Sequence, residues 1–304
     1  MKPIFTIIIS LFCFSAFAQK DPYLLIGTYT GGESKGIYVY RFDTSNAESK
    51  LISTIPASNP SFLAISPDQK FIFAVNEDAG SEKFPGGGAV SSFSFDKKTG
   101  TLSAINTQFS GGKHPCYITT DASGRWLFAG NYSSGNAGLF PINKNGSIGT
   151  MKQLIQHNGT GPDTGRQKSA HVHSTILSKN QQWLFVPDLG TDKVMVYQFN
   201  QEKGILKEAP TPFAASEPGS GPRHFELDAA NNFAYLMEEL TGSVVVYKFE
   251  QGRLIPKQRI NALPADFKGY PGSADIHISP DGNFLYCSNR GESNSITIFR
   301  INKT

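Results

Sequence analysis

An all-β fold, a β-propeller, is what this sequence predicts, and three observations carry the prediction. A twelve-residue phrase recurs at Ile65 to Asn76, Thr120 to Asn131, Leu177 to Asp188, Leu227 to Glu238 and Ile278 to Asn289. A phrase repeated at a long period says how a whole chain is built. Each copy is an apolar or small residue, a polar turn such as Ser279-Pro-Asp-Gly282, an aromatic, and an alternating apolar run ending in a polar residue, which is the pattern of a hairpin. Strand and turn formers dominate throughout, with 23 Phe, 11 Tyr, 30 Gly and 18 Pro, and no helical periodicity competes. Three or four short strands every 48 to 57 residues is the spacing of propeller blades.

Residues 1–18 read as an export signal, and the mature chain 19–304 as one propeller domain. Lys2 supplies the positive segment, Ile4 to Phe14 the apolar one, and Ala16-Phe-Ala18 a small-x-small cleavage site. This predicts a periplasmic or secreted protein. Cys13 as a lipid-bearing cysteine is disfavoured by the bulky Leu11-Phe12 before it. No later apolar run approaches the roughly 20 residues of a membrane-spanning helix. Tyr23 to Thr28 is a partial first copy, and most copies are followed by a third strand such as Val194 to Phe199 or Val244 to Phe249. The repeat runs nearly end to end without a linker, which argues for one repeat-built unit.

Composition excludes some classes of function. The formal net charge is +3 and the basic residues are scattered, which argues against nucleic acid as a partner. Cys116 and Cys287 lie at non-equivalent positions of non-neighbouring copies, so no disulfide is expected.

The hairpins predict where function lies. The strands before the polar turns are read as Phe62 to Ile65, Tyr117 to Thr120, Ser174 to Leu177, Phe225 to Leu227 and Asp275 to Ile278, the innermost strands that line the channel. The start of each inner strand and the end of its partner then share the rim opposite the turn. The first set of rim positions is Ser61, Cys116, His173, Arg223 and Ala274, and the second is Glu77, Tyr132, Leu189, Glu239 and Arg290. Charge and imidazole gather here, while the other rim carries ordinary turn residues. Connections 156–167, 215–222 and 261–272 open onto the same rim, where binding residues tend to sit.

His173, Arg223, Glu239 and Arg290 form the sharpest constellation. Two guanidiniums can hold a carboxylate or an oxyanion, and an imidazole or carboxylate can move a proton. The plainer alternative is a set of solvated ion pairs at strand ends. His171 and His173, with Asp188, also suggest a metal site, but His173 as a base needs only a positioned water, and no metal or cofactor is predicted. Gly32-Glu-Ser34-Lys-Gly36 matches a nucleophile elbow in letters only, since it lies between two strands rather than before a helix. Gly86-Gly-Gly88 has no helix after it to bind phosphate.

Together, Gly27-Thr-Tyr-Thr30, Asn59-Pro-Ser-Phe62, Ala74-Val-Asn-Glu77, Gln156-His157, Arg166-Gln167, His171-x-His173-Ser174, Val186-Pro-Asp-Leu-Gly190, Gly219-Ser-Gly-Pro-Arg-His224, Glu239-Leu240 and Ser288-Asn-Arg-Gly291 resemble the lactonase family of seven-bladed propellers. That family includes bacterial 6-phosphogluconolactonases and fungal carboxymuconate-lactonizing enzymes. The resemblance covers residues 23 to 301. It implies a site of one histidine, two arginines and a glutamate, which fall here on His173, Arg223, Glu239 and Arg290. It further implies substrate-binding or supporting roles for Glu77, His157, Arg166, Gln167, His171 and His224. Three departures stand out. Glu238 replaces the family's asparagine, and could repel Glu239 or point away. Val172 replaces a proline. Six repeats are visible and a C-terminal seventh is missing, which predicts an incomplete seven-bladed fold rather than a six-bladed one, with open sheet edges.

The function implied is hydrolysis of a small-molecule sugar lactone. Arg223 and Arg290 would hold the anionic group and the oxyanion, and His173 or Glu239 would act as base. An exported protein would not meet a phosphorylated cytosolic substrate, which points to another lactone or cyclic sugar acid. A lactonizing cycloisomerase and a propeller that binds a ligand or protein without catalysis remain the alternatives.

Overall fold

In the computed structural model, residues 22–302 are described; the export signal read at 1–18 lies outside them. The regular structure there is all β, in six antiparallel sheets. Sheet 1 holds β1 (Tyr23–Ile26), β2 (Gly36–Phe42) and β3 (Ser49–Pro56). Sheet 2 holds β4 (Leu63–Ile65), β5 (Phe71–Asn76), β6 (Ala89–Asp96) and β7 (Thr101–Phe109). Sheet 3 follows with β8 (Pro115–Thr120), β9 (Trp126–Asn131), β10 (Asn136–Pro141) and β11 (Gln153–Gln156). Sheet 4 comprises β12 (Ile176–Leu177), β13 (Trp183–Asp188), β14 (Lys193–Asn200) and β15 (Ile205–Ala215). Sheet 5 comprises β16 (Pro222–Leu227), β17 (Phe233–Glu238), β18 (Ser243–Glu250) and β19 (Arg253–Asn261). Sheet 6 has β20 (Ser273–Ile278), β21 (Phe284–Asn289) and β22 (Ser295–Arg300). Each is a meander, and sheets 2 to 6 start from the inner strand.

The repeated phrase is the inner hairpin of sheets 2 to 6, and its chemistry explains the turn. Its fifth residue takes a left-handed conformation in all five copies, with φ of 57° at Gln69, 68° at Gly124, 60° at Gln181, 58° at Asn231 and 70° at Gly282. The second residue of the phrase then accepts a hydrogen bond from the amide of the aromatic that opens the next strand, as Ser66 Oγ does from Phe71 (2.9 Å) and Asp121 Oδ1 from Trp126 (2.8 Å). Such side-chain bonds compete with regular ladders and favour turns.

The last residue of the phrase ties the hairpin to the connection arriving from the preceding sheet. Asn76 donates to Ser58 O (2.7 Å), Asn131 to Ser110 O (3.0 Å) and Asn289 to Ala262 O (2.8 Å). Glu238 occupies the same place and does the job through an arginine. It accepts from Arg259 Nη2 at 2.9 Å, and Arg259 Nη1 reaches Glu217 on the incoming connection at 3.1 Å. Glu238 therefore points away from Glu239.

The core lies between neighbouring sheets. Buried clusters join sheets 1 and 2 (Ile37, Ile72), 2 and 3 (Phe73, Phe140), 3 and 4 (Phe128, Leu184), 4 and 5 (Phe185, Phe225), and 5 and 6 (Met237, Leu285). Among the described residues β1 has no partner on its inner edge and β22 none on its outer edge. Ile296 and Ile298 of β22 are 69% and 57% exposed.

The inner strands begin elsewhere than the alternation predicts. β16 starts at Pro222 rather than Phe225 and β20 at Ser273 rather than Asp275, whereas β12 is confined to Ile176–Leu177. The cause is an extra residue at the rim. Pro222 pairs with Glu238 and Phe225 with Leu236, so three steps oppose two, and the same irregularity separates Ser273 from Ile276 and Pro115 from Tyr117. In sheet 4, Val172 bridges Asp188 and the ladder resumes at Ile176 opposite Phe185. An added residue bends a strand and re-aims a side chain. These bulges fall on the rim positions that carry Cys116, His173, Arg223 and Ala274.

Candidate active site

Glu239, directly after β17, is the centre of the rim cluster. Its side chain is 4% exposed, yet three guanidiniums converge on it. Arg166 Nη2 lies 2.6 Å from Oε1, while Arg223 Nε and Arg290 Nη2 lie 2.8 and 3.2 Å from Oε2. His173 Nε2 is 3.8 Å from the same Oε2. The four residues singled out from the sequence thus meet, and Arg166 from the 157–171 connection joins them. Burial alone would push the Glu239 carboxyl up, but Arg223, Arg166 and Arg290 outweigh it and hold it below the usual carboxylate range.

Each arginine is also fixed by a second partner. Arg223 Nη1 donates to Ala274 O (2.8 Å) and Arg290 Nε to Gly272 O (2.9 Å). Arg166 Nη2 donates to the Tyr132 hydroxyl (3.1 Å), and Nη1 contacts the Tyr270 hydroxyl. Arg223 is nearly enclosed, whereas the Arg290 side chain is 53% exposed, and its Nη1 has no partner among the described residues. Three guanidiniums against one carboxylate leave the cluster strongly cationic.

His173 is buried beside this charge. Burial, then Arg223, His224 and Arg290, hold its pKa well below the ordinary imidazole value, so the ring is neutral at neutral pH. Its Nδ1 lies 3.7 Å from the Cys116 sulfur. Beside it, side chains from neighbouring sheets meet in a layer. His224 meets the His173 ring at 5.4 Å between centroids and the Tyr117 ring at 5.3 Å, and Tyr117 stacks on Phe62 at 4.1 Å. His224 donates from Nδ1 to Asp275 Oδ1 (2.7 Å). The Glu239 cluster is therefore flanked by aromatic and imidazole rings.

The remaining sequence candidates sit apart from one another. His171 stacks on Tyr132 at 4.5 Å and donates to its carbonyl oxygen. His157 is buried, donating from Nδ1 to Asp188 Oδ2 (2.9 Å) and accepting at Nε2 from the Tyr197 hydroxyl (3.0 Å). Asp188 Oδ1 accepts the amides of His171 (2.7 Å) and Gly190 (3.0 Å), so one carboxylate anchors both ends of the 157–171 connection. Gln167 is fully buried and its amide is used by Leu189 O, Asp192 Oδ1 and the Asp163 amide. His157 and Gln167 thus face the protein, where they hold Arg166 in place. Glu77 directly follows β5 of sheet 2, in contact with Tyr29 and Ser61. Among the described residues no group of His, Cys, Asp and Glu converges as metal ligands would.

Sequence reasoning missed Tyr132 and Tyr270 as partners of Arg166, and Asp192. Asp192 ties the 157–171 connection, through Gln167, to the 215–222 connection, through the amides of Gly219 (2.7 Å) and Gly221 (2.9 Å). Nothing in a lone aspartate signals that role.

Residues 23–304 match the family model described as lactonase, 7-bladed beta-propeller. The chain belongs to the lactonase family. As a member of it, the chain is 35% identical to a 6-phosphogluconolactonase of Formosa agariphila over 92% of its own length and 79% of that protein's. It is 31% identical to a Bacillus subtilis 6-phosphogluconolactonase, covering 91% and 77%. Among solved structures, the Pseudomonas aeruginosa periplasmic gluconolactonase superposes on this lactonase-family chain with a TM-score of 0.87 at 39% identity, covering 92% of this chain and 79% of that one.

Proposed function

We propose that this protein hydrolyses a sugar lactone at the Glu239 cluster, with His173 as general base. The observation that carries the reading is the convergence of three guanidiniums and a neutral imidazole around one buried carboxylate on the rim. Relatives named for gluconolactones support the substrate class.

Water attacks the lactone carbonyl carbon and gives its proton to His173. The carbonyl oxygen becomes an oxyanion, which N–H groups of Arg290 and Arg223 stabilise without reorganising, because each is already held by a backbone carbonyl. Collapse breaks the ring C–O bond, the imidazolium returns the proton to the departing ring oxygen, and an open hydroxy acid leaves. Glu239, held ionised by arginines, is a poor base and serves to position them. The cationic cluster favours an anionic group on the substrate. The export signal read in the sequence, with the periplasmic relative, supports a periplasmic or secreted location; no helix of the described residues is long and apolar enough to cross a membrane.

The test is pH-stat hydrolysis of gluconolactone, its 6-phosphate and a muconolactone by the purified protein. His173→Ala should lose roughly 10² to 10⁴-fold in turnover, and Arg223→Ala with Arg290→Ala should abolish it. Full activity in both variants removes the assignment; no turnover from folded wild type favours a propeller that binds without catalysis.

A further inference from the structure

The rim carries a second carboxylate in the same structural position as Glu239. Glu77 directly follows β5 as Glu239 follows β17, and each bonds the first rim residue of its own inner hairpin, Ser61 for Glu77 and Arg223 for Glu239. Their environments are opposite. Glu239 is saturated by three cations, whereas the partners of Glu77 among the described residues are two neutral hydroxyls, Tyr29 at 2.7 Å and Ser61, both on Oε2. Its other oxygen accepts no hydrogen bond from the described residues.

The cluster is built rather than accidental. The Asn59 carbonyl accepts the amides of both Ser61 (2.8 Å) and Glu77 (3.0 Å), and the Asn59 side chain accepts the amide of Thr30 (2.8 Å), next to Tyr29. Tyr29 is a firm donor, since burial and Glu77 push its phenol pKa up. Cys116, beside His173, stands on the next sheet from Glu77 and feels its charge.

We propose that Tyr29, Ser61 and Glu77 form a polyol subsite that receives the hydroxyl groups of the substrate and orients its acyl carbon toward His173. The inference rests on the lactone reading above and assigns it a specificity. With the hydroxyl hydrogens of Tyr29 and Ser61 committed to hydrogen bonds on Glu77, the oxygens left for a ligand can only accept. They repel an anionic group, which goes to the arginines, and they require O–H donors, which a polyhydroxylated ring supplies. Tyr29 is 63% exposed and Glu77 and Ser61 are half-buried, so water can take the place of a missing hydroxyl and the discrimination against analogues lacking it is of the size of one or two hydrogen bonds.

The test compares ligands that share one reacting group and differ in hydroxyls. Kinetics are measured on glucono-1,5-lactone and δ-valerolactone, and calorimetric binding on gluconate and 5-hydroxypentanoate, for wild type, Glu77→Gln and Tyr29→Phe. Both variants should lose about tenfold or more for gluconolactone, in KM rather than kcat, and a similar factor in gluconate affinity. Both should stay within about twofold of wild type for the unsubstituted pair. Equal losses on both pairs, or an unchanged preference for gluconate, overturn the subsite even if hydrolysis is intact. A gluconate preference that depends on Glu77 in a protein without turnover upholds the subsite and sinks the hydrolase reading. Tyr29→Phe removes one oxygen only, so a folding defect in Glu77→Gln leaves the proposal testable.

Discussion

Three guanidiniums on one buried carboxylate set the chemistry at the scale of residues. Taking a carboxylate out of water costs several kcal/mol in real proteins, and here Arg223, Arg166 and Arg290 offset it so fully that Glu239 stays ionised. Burial first, and then Arg223, His224 and Arg290, keep His173 uncharged instead, because each disfavours imidazolium. This gives a prediction of sign. A base whose pKa lies well below 6.5 is unprotonated throughout the neutral range, so kcat/KM for lactone hydrolysis should stay level down to pH 6.5 and fall only in more acid solution. A half-fall at or above 6.5 would assign the base to a different group. His173, Arg223, Glu239 and Arg290 were legible in the sequence because they occupy equivalent places in a repeat. Arg166 was legible as a family motif but not as a Glu239 ligand, since its position depends on a long connection anchored by Asp188 and Asp192. No local pattern encodes that reach.

At the scale of elements, the hairpins were legible and the bulges were not. Alternation of apolar and polar residues reports a regular ladder, and at Arg223, Cys116 and Ala274 the ladder carries one residue too many. A second device joins the sheets. The aromatic that opens the second strand of a hairpin covers a left-handed glycine in the outer turn of the following sheet. Trp126 covers Gly204 (φ 58°) and Trp183 covers Gly252 (φ 85°). A Cβ at Gly204 would stand 2.1 Å from Trp126 Cη2, and the conformation itself is costly for any other residue. Gly204→Ala should therefore destabilise by about 2–4 kcal/mol, combining backbone strain and overpacking. Urea unfolding would show it as a lower midpoint at unchanged slope. An unchanged midpoint would mean that Trp126 swings aside freely, against its 2.7 Å bond from Nε1 to Gln201 O.

The described residues form a series of sheets in which each packs on its neighbours, so the repeat alone disclosed the architecture while the ring layer between the inner strands stayed hidden. That layer takes one side chain from each of five sheets, on or just before its inner strand: Phe62, Tyr117, His173, His224 and, bonded to His224, Asp275. Such a layer couples the sheets through two buried, neutral imidazoles. Burial and Arg223 lower the His224 pKa to about 4 from 6.5, and His173 is shifted in the same direction. Between those values the unfolded chain binds more protons than the folded one, so stability rises with pH. The contribution is complete above 6.5 and is lost as pH falls through about 4. For His224 alone this is on the order of 3 kcal/mol. Urea midpoints should thus drop between neutral pH and pH 4.5, before most carboxylates titrate. His224→Gln, which can still donate to Asp275, should flatten that drop, leaving the part due to His173. An equal drop in the variant would show that the ring layer is not where acid enters the fold, and that the sheets are held together independently of it.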